Sequence, residues 1–340
     1  MKDITNKQTN KNTMKNKILA TLVAFGLVGS VSAIEINDNL SVNGFVDGSY
    51  VRSKDKTTTP TSQSEKIGID EVELNFLLNV SNVSGELHLD SSPTAFNNDI
   101  GIEQAHFTYS LDNGLSFTFG KYGSKLGFER EDPAGMYTSS RNYDSARNHG
   151  DVDSFARTGL AANYSTDAFS LGLSLDQDQG ENLKTDGEGL NVELSLSYTG
   201  IENLTLNVGY REENARSVGS VNYDTDFLNI NASYQVGKAL LAAEWQTEGN
   251  KIATENDKDA IMLLVDYDVS DKLGVAVRYT EEDQDHVAAT SLENSKWTIA
   301  PNYSITDSLG AILEYSVQDV DQATGSRKVD TYGVELTYTF

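Results

Sequence analysis

Cysteine is absent from the 340 residues. A disulfide framework, a thiolate nucleophile and a Cys-ligated metal are thereby excluded. Also missing is any apolar run of roughly 20 residues, the length that a transmembrane helix needs. Hydrophobic residues make up 38% and mean hydropathy is −0.42. Such values exclude helical spans. They leave a transmembrane barrel open, because lumen-facing polar residues dilute its hydropathy. Positive charge is scarce: 26 Lys and Arg stand against 51 Asp and Glu, a net charge of −25. Phosphate binding needs a basic face, so no nucleic-acid partner is expected. There are four histidines and no phosphate loop, His-Glu-x-x-His or zinc spacing.

What is present is aromatic and patterned. The 16 Tyr and 12 Phe, set in regular apolar alternation, argue against a disordered acidic chain. Near the start, Lys15 and Lys17 precede an eleven-residue apolar core, Ile18 to Val28, and small residues up to Ala33. That is the plan of a secretory signal, too short to span a membrane comfortably. Residues 1–33 are expected to be a cleaved signal peptide and 34–340 the mature domain. Residues 1–13 read as an upstream extension, with Met14 as the alternative start. Without 1–33, 21 basic and 50 acidic residues remain, or −29.

From Leu40 onward the alternation predicts sixteen strands, centred near 46, 74, 87, 106, 118, 161, 172, 194, 207, 231, 243, 264, 277, 300, 313 and 335. Phe169, Leu171, Leu173 and Leu175 show the apolar phase plainly; the first strand is the least clean, since Phe45 opposes Val42 and Val46. After every even strand the link is short and turn-like, as at Ser81-Asn82, Asn113-Gly114 and Gly237-Lys238. After every odd strand it is expected to run eleven residues or more, rich in polar side chains, as around Thr58, Glu213 and Asp285. Short turns at one rim and long loops at the other describe an outer-membrane barrel. Tyr109, Tyr164, Tyr198, Tyr234, Tyr267, Tyr303 and Tyr338 end the even strands on the apolar phase and predict an aromatic girdle at the short-turn rim. Tyr50, Tyr210, Trp245, Tyr279 and Tyr315 predict a second one. An unpaired sheet edge in lipid would leave backbone groups unsatisfied, so the first strand must pair with the last. Sixteen strands leave an aqueous lumen.

In the last strand, Tyr332, Val334, Leu336, Tyr338 and Phe340 share one face, and Gly333, Glu335, Thr337 and Thr339 the other. The terminal Phe340 resembles the C-terminal signature of bacterial outer-membrane barrels. The resemblance implies that their assembly machinery reads it.

One link stands apart, the 34 residues from Tyr122 to Phe155. A loop this long is usually functional. It carries Glu129, Arg130, Glu131, Asp132, Arg141, Asp144, Arg147, Asp151 and Asp153, a density of both signs that suits a segment folded into a water-filled pore. Gly120-Lys121-Tyr122, Gly127-Phe128-Glu129, Ser140-Arg141-Asn142 and Thr158-Gly159 resemble the OmpL-like β-barrel porins of Gram-negative bacteria, in which a GKF, GxE, SRS, TG run keeps this order. Tyr122 replaces the Phe and Asn142 the last Ser. The resemblance implies an outer-membrane pore whose third loop constricts the lumen. It names no solute.

Alternation also identifies inward side chains. Basic candidates are Arg157, Arg211, Arg278 and Lys296; acidic ones are Glu71, Glu73, Glu86, Glu193, Glu244, Asp266, Glu314 and Glu335. Wall cations facing a carboxylate-bearing loop would set a transverse field across the pore. His88 and His106 also fall inward, near Glu73, Glu86 and Gln104, where a metal cluster competes with ordinary hydrated polarity. His149 and His286 lie in loops, and Asp176 to Gly180 echoes a calcium loop without its later ligands. No cofactor is expected. The expected function is passive diffusion of small hydrophilic solutes and ions with weak cation preference; a surface adhesin or receptor barrel and a barrel enzyme are the alternatives. Expected partners are outer-membrane lipid and lipopolysaccharide, the barrel-assembly machinery and, for a trimer, two further copies of the chain.

Overall fold

The strands invert the exposure pattern of a soluble sheet. Along Phe169–Gln177, Leu171, Leu173 and Leu175 are exposed at 38–46%, whereas Ser174 and Asp176 between them are buried. Period-2 alternation thus turns the apolar face outward and the polar face inward, as a wall between lipid and water requires. The computed structural model describes residues 33–57, 60–91, 99–129, 132–143, 156–177, 189–218, 221–250, 257–284, 291–322 and 325–340. The signal segment, Met14 included, lies outside them.

A short arm, β1 (Ile34–Asn37), folds back on β2 (Leu40–Asp55). The wall continues as β3 (Ser62–Val80), β4 (Val83–Ser91), β5 (Gly101–Ser110), β6 (Leu115–Tyr122), β7 (Arg157–Ser165), β8 (Phe169–Gln177), β9 (Asn191–Ile201) and β10 (Leu204–Val218). Then come β11 (Val221–Val236), β12 (Ala239–Asn250), β13 (Lys258–Asp268), β14 (Leu273–Gln284), β15 (Leu292–Ser304), β16 (Leu309–Gln322) and β17 (Gly325–Thr339). Each wall strand pairs antiparallel with the next, and β17 pairs with β2 from Val329↔Asp55 to Thr339↔Phe45. The ring of sixteen strands, β2 to β17, is closed, so no wall edge faces lipid.

Phe340 extends that seam: its N–H donates to Gly44 O at 3.0 Å, and Gly44 N–H donates to Phe340 O at 3.1 Å. Gly44 leaves room for the ring, since a Cβ there would lie 2.9 Å from Phe340 Cζ. The seven predicted tyrosines at the short-turn rim stand on the outer face, 36–48% exposed. At the other rim, aromatic side chains pair across strands, Tyr279 with Trp297 at 4.7 Å and Tyr315 with Tyr332 at 4.9 Å between ring centroids.

One expectation is corrected. Not every link at the second rim is a long loop. β10 and β11 stay paired out to Val218↔Val221, and β16 and β17 out to Gln322↔Gly325. Polar residues beyond the apolar band keep their backbone hydrogen bonds by extending the hairpin, so Glu213 lies in β10 and not in a loop. Phe45, the exception to the alternation of β2, points inward and is buried.

Candidate functional site

The barrel interior is the candidate site, and the third loop is folded into it. Among the described residues 123–129 and 132–143, Leu126, Glu129, Thr138, Asn142 and Tyr143 are buried. Sequence dictates where the loop can lie. Gly209 on the inner face of β10 has no side chain, and a Cβ there would overlap Leu126. On β12–β16 the inward positions include Ala242, Ala260, Met262, Leu264, Ala276, Ala300 and Ile312. Tyr143 is buried in this apolar patch, with Phe128 and Tyr137 packed against it.

Wall carboxylates accept the polar groups of the loop. Glu193 on β9 accepts Ser124 Oγ (2.8 Å) and Lys125 N (2.9 Å). Glu244 on β12 accepts Phe128 N (2.7 Å), Asn142 Nδ2 (3.1 Å), Tyr143 Oη (3.1 Å) and Asn229 Nδ2 (2.9 Å). Glu314 on β16 accepts Ser139 Oγ (3.1 Å) and Ser140 N (2.9 Å). Burial, with Glu244 beside it, pushes the Tyr143 phenol well above its ordinary value, so it stays a donor.

Wall cations complete the docking. Arg278 Nη1 meets Glu129 Oε1 at 2.5 Å, and its Nη2 donates to the carbonyls of Ser140 (2.8 Å) and Arg141 (2.7 Å). Lys296 Nζ donates to Arg141 O at 2.9 Å. The expected transverse field, with wall cations held apart from loop carboxylates, is therefore corrected at Arg278. The buried pair is joined because an unpaired charge in so dry a place would be costly. Arg211 is likewise bound within the wall, to Asp176 (2.7 Å), Glu193 (3.3 Å) and Glu213 (3.1 Å).

The wall of β3–β5 is different in kind. His88 Nδ1 lies 3.1 Å from Glu73 Oε1 and 3.5 Å from Glu103 Oε2. Its Nε2 lies 3.3 Å from Glu86 Oε2, which is 3.7 Å from His106 Nε2. Among the described residues, Glu73, His88 and Glu103 could together hold a metal ion. Loss of water, with the nearby charges of Glu73 and Glu103, holds the half-buried Asp132 well above the usual carboxylate range, while His88 and Arg141 act the other way.

Glu103 escapes the alternation. Counting by two from Phe107 places it on the lipid face. The register slips between His88↔Gln104 and Leu89↔Ile102, and this β-bulge turns Glu103 inward to 2% exposure. An acid on the apolar phase beside Ile102 is the one available signal. Asp47 and Asp90 are also buried inside; counting by two from Phe45 and from His88 reaches both, and neither stands among the candidates above.

Of the predicted residues, Glu73, Glu86, Arg211, Arg278 and Lys296 face the interior from the wall, and Glu129, Asp132 and Arg141 belong to the inward loop. Arg157 opens β7 half-buried, its Nη1 donating to Ala156 O at 3.3 Å. Arg130, Glu131, His149 and His286 lie outside the described residues, as do Asp144, Arg147, Asp151 and Asp153. Among the described residues, buried acids outnumber buried bases thirteen to three.

No curated protein sequence matches this one at a significant level. Among solved structures, the outer-membrane channel DcaP of Acinetobacter baumannii superposes with a TM-score of 0.66 at 14% identity, over 91% of this chain and 100% of that one. The anion-selective porin from Comamonas acidovorans gives 0.65 at 14% identity, over 88% and 99%. Salmonella typhi OmpF in complex with daunomycin gives 0.63 at 15%, over 91% and 100%. At such identities these likenesses show the fold. The family described as beta-barrel porin-2, OmpL-like, matches residues 39–340. A closed sixteen-stranded barrel, apolar outside and charged within, matched along almost its whole length, belongs to the OmpL-like β-barrel porin family of the outer membrane.

Proposed function

We propose that the protein is a passive diffusion channel for small hydrophilic solutes and ions, with a modest preference for cations and no catalytic role. The observation that carries this reading is the thirteen-to-three excess of buried acids over bases among the described residues. A low-dielectric wall of one sign concentrates the opposite ion. Glu73, Glu86, Asp132, Arg141 and Arg157 line the path, and the loop anchored by Glu129 narrows it. Arg130 and Glu131 belong to the same loop. The anion selectivity of the Comamonas acidovorans porin is a property of that protein. Reversal potentials across a salt gradient test the proposal. Cation preference should be strongest in dilute salt, because at ~0.1 M charges beyond roughly 10 Å are screened. Anion preference would overturn it.

Export and assembly belong to the same reading. Residues 1–33 direct secretion and are removed after Ala33, which amino-terminal sequencing of the membrane-inserted protein checks. Phe340 serves as the assembly signal for the barrel machinery, and the tyrosine girdle seats in lipid and lipopolysaccharide. Phe340→Asp should leave the chain in the periplasm. Assembly as a homotrimer is favoured by the likeness to Vibrio cholerae OmpT, solved in a trimer form; cross-linking in intact membranes tests it.

A further inference from the structure

Three adjacent strands each turn one metal-binding side chain to a common point. Glu73 comes from β3, His88 from β4 and Glu103 from the bulge of β5, and one ligand atom from each lies within 4.8 Å of the others. The Nδ1 of His88 is 3.1 Å from Glu73 and 3.5 Å from Glu103. A tetrahedral zinc ion with bonds of about 2.0–2.1 Å spaces its ligand atoms roughly 3.3–3.4 Å apart. Both observed separations are close to the edge of that tetrahedron.

The carboxylates are also unsatisfied. Glu73 is 1% exposed and Glu103 2%. Among the described residues, neither oxygen of Glu73 has a hydrogen-bonding partner, nor has Oε2 of Glu103. Two buried carboxylates this close repel each other and have lost their water. A positive ion between them removes both penalties.

The imidazole is oriented for the same task. Glu86 Oε2 lies 3.3 Å from Nε2, so an ion on Nδ1 would leave the remaining ring proton on Nε2 facing that carboxylate. A carboxylate behind a ligating histidine is the usual outer support of a metal site. Gln104 Nε2 now lies 3.3 Å from Nδ1 and would yield that position to an ion. One imidazole and two carboxylates suit zinc and its first-row neighbours. Magnesium and calcium prefer oxygen ligands alone. His88 keeps 12% of its side chain exposed, which leaves a route from the lumen.

We infer that Glu73, His88 and Glu103 form a binding site for one divalent transition-metal ion of the zinc class on the inner wall, with Glu86 as the residue that positions the imidazole. The site shares Glu73 and Glu86 with the conduction path proposed above, but it is defined by metal binding, which is measured independently of conduction.

The test uses the folded barrel purified from outer membranes in detergent. Zinc chloride is titrated by calorimetry, and cobalt(II) is followed by its visible absorption. Wild type should bind one ion per chain, with a cobalt spectrum of low coordination number that magnesium in large excess does not abolish. Glu73→Gln and His88→Gln should each weaken binding by about 100-fold or more, and Glu86→Gln by about 10–100-fold with stoichiometry kept. Heat-modifiable mobility on electrophoresis checks that each variant is folded. Should a variant not fold, zinc-edge absorption on wild type decides, since it must show one nitrogen ligand among oxygens. No saturable binding in wild type, equal binding by the Glu73→Gln/Glu103→Gln double variant, or displacement by magnesium would each overturn the inference.

Discussion

The two sides of the barrel interior solve the problem of burial in opposite ways. On β12–β16 the inner face carries a patch of small and apolar residues, and the third loop covers it with Tyr143, Phe128 and Tyr137. Beside that patch Glu244 accepts four hydrogen bonds, three of them from the loop. On β3–β5 the inner face is charged, and two nearly inaccessible carboxylates, Glu73 and Glu103, keep oxygens without hydrogen-bonding partners. Burial alone therefore says little about what an inward residue does. The first side uses its charges to hold a loop. The second gathers them around the single imidazole of His88, and an excess of negative charge in a low-dielectric wall attracts mobile cations.

Breaking the loop side should have the largest effect. Arg278→Ala would leave Glu129 buried without its partner, at a cost of about 3–5 kcal/mol against docking. The loop should become cleavable by protease in the folded barrel, and single-channel conductance should rise. Unchanged protease resistance would mean that the Arg278–Glu129 pair does not hold the loop. Gly209→Val fills the space that Leu126 occupies. Overpacking of this kind costs about 1–3 kcal/mol, and partial loop cleavage should follow with the barrel itself intact. Cleavage no greater than in wild type would show that Leu126 seats elsewhere.

A gentler probe of the same side is Tyr143→Phe. It removes one of the four donors to Glu244 and should weaken docking by about 0.5–1.5 kcal/mol, read as a small rise in cleavage rate. Loss of docking as complete as in Arg278→Ala would show that the phenol alone carries the anchor. The smallest effect is expected on the charged side. Glu73→Gln/Glu103→Gln should lower the cation-to-anion permeability ratio by roughly twofold in dilute salt, with loop cleavage as in wild type. A larger change in cleavage than in ion selectivity would erase the division between the two sides.

Much of the wall is legible in the sequence because strand alternation is local. Leu171, Leu173 and Leu175 announce the lipid face by themselves, and Tyr198 and Tyr234 mark the short-turn rim without knowledge of their neighbours. The inward set of Glu73, Glu193, Glu244, Arg211, Arg278 and Lys296 follows by counting in twos from the apolar phase. Glu103 does not, because a single bulge shifts the count by one residue and reverses every face beyond it. Glu213 reads as loop because a polar strand extending past the membrane band has the composition of one.

What the sequence determined by itself is the closed sixteen-stranded wall, its lipid face and the need for its ends to meet. Each rests on the two-residue period and on the cost of an unpaired edge in lipid. What only the tertiary structure decided is which inward charges are engaged and which are left over. The glutamates on the wall are chemically alike in the sequence. Glu244 becomes an anchor because residues more than a hundred positions away fold against it. Among the described residues Glu73 accepts no hydrogen bond and has only the imidazole of His88 beside it, at 3.1 Å. Pairing of that kind depends on distances across the lumen, and those exist only once the barrel has closed.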